Sequence, residues 1–131
     1  MLAQLLSNEL KIFEKLLLTH RNAHRRNPYF QRLLAVRKYL RTLNLSSTSS
    51  SSSSSLSSTS PSKERVKHDL THLDRLSFLV KTCDHVRGHA VKASRLLMIQ
   101  LGMSYHMPFA LTMVATCGRF LTLTKQMRST W

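Results

Sequence analysis

Apolar residues recur at helical spacing through most of this chain. In the first segment Leu6, Leu10, Phe13, Leu17, His20 and His24 follow one another at alternating steps of four and three. That spacing draws one stripe down a helix, aliphatic at its start and ending in two histidines. It predicts a helix from about Leu2 to Arg26. Asn27-Pro28 predicts a break and a restart, because Asn is a good N-cap and the missing N–H of Pro is not needed in the first helical turn. A second helix follows to about Leu43, with Tyr29, Leu33, Val36, Leu40 and Leu43 as its core stripe.

The pattern resumes beyond Ser60-Pro61-Ser62. Val66, Leu70, Leu73, Leu76, Val80 and Cys83 predict a third helix, which Gly88 is expected to break or kink. A fourth runs from about His89 to Leu101, stopped by Gly102. Pro108 opens a fifth, reaching about Met127. Its stretch from Phe109 to Cys117 is apolar or weakly polar on nearly every face, the mark of a central, buried helix. Between the two halves, Ser46 to Ser62 holds thirteen Ser among seventeen residues and one strongly apolar residue, Leu56. Such a tract cannot offset its ordering entropy by burial and reads as a disordered, flexible tether and a possible target for phosphorylation.

The expected fold is therefore all-α, a bundle of about five helices in a single helical domain over residues 1–131. Residues 1–45 form a helical hairpin, 46–62 a linker, and 63–131 the rest of the bundle. The low content of Gly and Pro, three of each, agrees with helices over strands. The two cysteines, Cys83 and Cys117, make no disulfide framework and read as small core residues. The N-terminal run lacks a basic leading region and is interrupted by Glu9 and Glu14, a poor signal peptide. The apolar stretch from Leu96 to Gly118 could be taken for a membrane span. Gln100, His106 and Pro108 interrupt it, and a buried helix suits it better.

Charge changes the picture most. The chain carries 20 Lys and Arg against 6 Asp and Glu, a formal net charge of +14. From Lys15 to Lys63 there is no acidic residue, while seven basic ones fall between Arg21 and Arg41. A solvated helix face usually mixes signs; this one does not. The inferred partner is a polyanion, and nucleic acid is the commonest in a cell. The candidate RNA-binding residues are Arg21, Asn22, His24, Arg25, Arg26, Phe30, Arg37, Lys38 and Arg41. The cations would neutralise phosphates, and Phe30 could stack on an unpaired base. Each has a plainer alternative: a solvated face for the cations, core packing for Phe30, and a half-buried, hydrogen-bonded ring for His20 and His24.

Chemistry-bearing motifs are few. His68-Asp69-Leu70-Thr71-His72 superficially resembles a zinc protease helix, but Asp stands where Glu should act as base and no third ligand has a familiar spacing. Cys83, His85 and His89 have no acidic orienting group at a diagnostic distance in sequence. There is no Gly-rich phosphate loop and no Ser-His-Asp signature. The expectation is a non-enzyme with no metal, no cofactor, no small-molecule substrate and no membrane.

The run from Leu16 to Leu43, LLLTHRNAHRRNPYFQRLLAVRKYLRTL, resembles the shared N-terminal domain of the nucleolus and neural progenitor protein family and the fungal RNase MRP-specific subunit family. The matching residues are Arg21, Asn22, His24 and Arg25, then Tyr29, Phe30, Arg37, Lys38 and Arg41. More loosely, Pro108-Phe109 and Arg119 occupy places like those of the family's second half. Ala23 stands where the family usually has Gln, and Pro28 replaces a helix-compatible residue. The resemblance implies a protein of the nucleus and nucleolus acting in pre-ribosomal RNA processing. It would bind the RNA (RNase MRP RNA or pre-ribosomal RNA) or the other proteins of the particle. The alternative is a protein-docking module of a ribosome-biogenesis particle, using the apolar last helix, with no RNA contact of its own.

Overall fold

The computed structural model describes residues 1–48, 63–103 and 106–131, with backbone alone for 48 and 63–70. Among the described residues there are four α-helices and no strand: α1 (Leu2–His24), α2 (Pro28–Thr48), α3 (Lys63–Gly102) and α4 (Met107–Thr130). The break at Asn27-Pro28 and the stop at Gly102 are where the sequence predicts them. The break at Gly88 is not there, so two expected helices are one. A mid-helix Gly costs roughly 1 kcal/mol. Val86, Ala90, Ala93 and Leu97 are all fully buried on either side of it, and that burial, at ~0.8 kcal/mol per methylene, outweighs the penalty. α2 also runs past Leu43. Ser46 and Ser47 bond back to carbonyls one turn earlier, so the first residues of the expected linker are helical. The rest of the tract lies outside the described residues.

α1 packs on α2 and α4, and α3 on α2 and α4. Each neighbouring pair is antiparallel. His24 meets Tyr29 while Glu14 meets Arg37; His20 meets Phe109 while Glu9 meets Arg119. Tyr39 meets His85 while Ser46 meets Arg75, and Asp84 meets Arg128. The helices thus run up, down, up, down around one core. Its centre holds Leu6, Phe13, Leu33, Val36, Leu97, Met113 and Phe120, with Phe13 and Phe120 edge to face at 5.1 Å.

The stripes of α1 and α2 are buried as expected: Leu6, Leu10, Phe13 and Leu17, then Tyr29, Leu33, Val36, Leu40 and Leu43. The stripe of α3 is displaced toward its C-terminus. Leu73 is 61 % exposed and burial begins at Leu79. α3 has 40 residues against 23 in α1 and 21 in α2. Near the end of α2, where Arg75 reaches the Ser46 carbonyl, nothing among the described residues covers Leu73. α4 is not buried all round either. Phe109, Met113, Cys117 and Phe120 face inward, but Met107 and Leu111 are open. By length and hydropathy α4 could cross a membrane, and 44 % of that apolar window is buried within the bundle. The stretch from Leu96 to Gly118 is divided between the end of α3 and the start of α4.

Candidate nucleic-acid interface

Three residues, Arg25 to Asn27, join α1 to α2. The Asn27 N–H bonds to the His24 carbonyl at 2.9 Å, and the Gln31 side chain donates to the Arg25 carbonyl at 3.0 Å. These bonds satisfy carbonyls that a helix end leaves open and fix the turn. Arg21, Asn22, Arg25 and Arg26 stand exposed around it, and Asn22, Arg25 and Arg26 rim a shallow depression.

A knot of rings ties this turn to α4. His24 lies flat on Phe109, with centroids 4.2 Å apart and planes at 6°, and meets His106 edge-on at 4.6 Å. His20 touches the same Phe109 at 4.6 Å. The Asn27 amide donates to the Tyr29 hydroxyl oxygen at 2.8 Å, and His24 Nδ1 lies 2.5 Å from that oxygen. With its oxygen accepting from Asn27, Tyr29 has its proton free to donate to a neutral His24. Burial, reinforced by the nearby His106 and His20, pushes the His24 pKa down and favours that neutral form. His106 opens α4 from a left-handed backbone conformation, φ 50° and ψ 40°. Such a conformation is uncommon for a residue other than Gly, and it presents the ring to His24.

The predicted RNA-binding residues fall into three groups. Arg21, Asn22, Arg25 and Arg26 are together at the turn, open to solvent. His24 and Phe30 are each 1 % exposed, so neither can touch RNA in this fold. Phe30 is a core residue, and His24 positions the turn. Arg37, Lys38 and Arg41 lie farther along α2, beside Leu34. Two of these are engaged: Arg37 Nε donates to Glu14 at 3.2 Å, and Arg41 donates to the same oxygen. Arg41 and then Arg37 hold the Glu14 carboxyl below the usual carboxylate range, against burial. Lys38 is exposed beside them.

Sequence reasoning missed the contribution of the second half. Residues 85–131 also lack any acid. The antiparallel packing brings their basic start against α2, so that Lys92 and Arg95 join Arg32 and the turn in one acid-free half of the molecule. None of Arg21, Arg25, Arg26, Arg32, Lys92 or Arg95 takes part in an ion pair among the described residues. The absence of Asp and Glu after Asp84 was the available signal.

The other chemistry-bearing residues do not assemble. Cys83 faces a cleft toward α4 with Asp84 and Arg87, whereas His85 and His89 face Tyr39 on α2. Burial pushes both the Cys83 and the Cys117 thiol up to about 11, so each stays protonated at neutral pH. His68 and Asp69 lie outside the residues with described side chains. Among those described, no three His, Cys, Asp or Glu side chains come together in a way that could hold a metal ion. No family model, no curated protein and no solved structure matches this chain.

Proposed function

We propose that this chain is a non-catalytic RNA-binding subunit that seats its acid-free half, led by the α1–α2 turn, on the phosphates of a structured RNA. The observation that carries the reading is the set of arginines at and beside the turn, exposed and outside every ion pair among the described residues, on a backbone that local hydrogen bonds hold fixed. A rigid cationic turn loses little entropy on docking, and each phosphate that it neutralises releases counterions. The setting is a nucleolar ribonucleoprotein of pre-ribosomal RNA processing, RNase MRP foremost. That setting rests on the resemblance of residues 16–43 alone.

The test is recovery of the tagged protein from its own cells with sequencing of the co-purified RNA, beside an Arg21/Arg25/Arg26→Glu variant. One small structured RNA, enriched with the native chain and lost with the variant, is the expected result. Equal protein recovery from both, with no RNA enriched in either, would sink the reading. It would favour the second one, a protein-docking module. That alternative draws on Leu5 and Ile12 of α1 and Met107 and Leu111 of α4, apolar side chains that are 44 % to 54 % exposed on two helices that pack together.

A further inference from the structure

We propose that the α2–α3 face carries a second phosphate-binding site for the same RNA, made by Arg32, Tyr39, His85, His89 and Lys92, and that it takes up a proton as RNA binds. This inference rests on the RNA reading above and names a contact surface that the reading does not contain.

Two imidazoles, a phenol ring and two cations of α2 and α3 come together here. His85 and His89 stand one turn apart on α3, and the Tyr39 ring of α2 lies nearly parallel to both, at 5.0 Å and 15° from one and 5.6 Å and 17° from the other. His89 Nδ1 is buried and has no hydrogen-bond partner among the described residues. A buried polar atom without a partner is costly and uncommon. Arg32 from α2 and Lys92 from α3 are close enough to act on the His89 charge, and both are exposed. The groups facing His89 are thus Arg32 and Tyr39 from α2, and His85 and Lys92 from α3. No described carboxylate is among them: Asp84, nearest in sequence, pairs with Arg128 of α4. Two permanent cations and two imidazoles with no described acid beside them call for an anion.

A phosphate supplies it. Its oxygens accept from the Arg32 guanidinium and the Lys92 ammonium. Burial first, then Arg32, Lys92 and His85, depress the His89 pKa in the free protein. A phosphate cancels that repulsion and raises the value again, so binding takes up a proton and tightens as pH falls toward the free histidine's range. The ligand is a strand rather than a lone anion because the site continues the basic turn. Arg32 is four residues beyond Pro28, where α2 leaves the turn, roughly 6 Å along the helix axis at 1.5 Å per residue, and one backbone can follow both.

The experiment titrates the full chain with a fluorescently labelled RNA hairpin across a salt series, at about pH 7.5 and about pH 6. Three samples are compared: native, Arg32→Gln/Lys92→Gln, and His89→Asn, each with its helicity checked by circular dichroism. The slope of log affinity against log salt should fall by about 1.5 to 2 in the double variant. The tightening at lower pH should vanish in the His89→Asn chain. Salt-dependent RNA binding with the same slope in the native and double-variant chains would overturn this site and leave the turn reading intact. No RNA binding by the native chain would overturn both. Inorganic phosphate that moves the His85 and His89 proton resonances as far as the hairpin does, with the hairpin adding nothing, would make this a free-anion site and overturn the RNA assignment.

Discussion

The two halves of this bundle use the same residue type in opposite ways. Away from the α1–α2 turn, an arginine braces every adjacent pair of helices. Arg37 and Arg41 hold Glu14 across α1 and α2, and Arg119 reaches Glu9 across α4 and α1 at 2.8 Å. Arg128 holds Asp84 across α4 and α3 at 2.9 Å, and Arg75 donates to the Ser46 carbonyl of α2 at 2.5 Å. In the turn half there is no carboxylate to brace with among the described residues. The cohesion there comes from stacked rings, and the cations point outward. Net charge alone does not tell a structural arginine from one left for a partner. The placement of the described acids does.

The comparison breaks most visibly at Phe30. If the turn half is held by burial, Phe30→Ala should lower stability by about 3–5 kcal/mol, as expected for a fully packed ring. A denaturant titration measures it. A loss below about 0.5 kcal/mol, the scale of surface substitutions, would return Phe30 to the surface and reopen base stacking. Next in size is the split between the two arginine sets. Removing Arg21, Arg25 and Arg26 by Gln should flatten the salt dependence of RNA binding by about 2 to 3 in slope. Removing Arg119 and Arg128 should leave that slope unchanged and cost stability by only about 0–1 kcal/mol per exposed pair. Slope losses in the ratio of the charges removed, three to two, would mean that binding follows net charge, not the turn.

Much of this was legible in the sequence. The stripes of α1 and α2, the Asn27-Pro28 restart and the Gly102 stop are all local signals, and local signals survive folding. What failed depended on neighbours. Leu73 lies on a good stripe, yet at the level of the last turn of α2 it stays exposed and no described residue buries it. Gly88 is a breaker by propensity, yet the residues around it are in the core. Arg37 and Arg41 look like the best phosphate ligands in the linear charge run, and only the antiparallel hairpin sets Glu14 between them, more than twenty residues away. His89 and Lys92 carry no motif at all. They become a site through α2, which lies about fifty residues earlier in the chain.

The ring knot gives the turn half its own pH dependence. His24 has its pKa pushed below 6.5 by burial, with His106 and His20 adding to the shift. For a base with a depressed folded value, the unfolded chain binds the extra proton first. Stability is therefore full above about pH 6.5 and falls as pH drops through the folded value. The melting temperature of the native chain should decline across that window. A His24→Phe variant keeps the stack on Phe109 but cannot protonate, so its decline should be shallower. Its starting stability should be lower, because Tyr29 loses the acceptor of its proton. Parallel declines in the two proteins would remove His24 as the group responsible.

The smallest effect on stability is at Glu14, and it tests the comparison where the two halves meet. Glu14→Gln should cost about 0–1 kcal/mol at neutral pH, since the pair is only partly buried. The sign of its pH dependence follows from a carboxyl held below 4.5 by Arg41 and Arg37. The native advantage is present above about 4.5 and disappears as acid protonates Glu14. The consequence for binding runs the other way. Without the carboxylate, Arg37 and Arg41 are released beside the exposed Lys38, and the unneutralised face extends down α2. If RNA follows α2 away from the turn, Glu14→Gln should bind more tightly and steepen the salt slope by about 1 to 2. An unchanged slope would place Arg37, Lys38 and Arg41 off the RNA path and confine the interface to the turn and the α2–α3 face. Removal of Glu14 changes the balance of both halves, so its variant separates charge that braces from charge that binds.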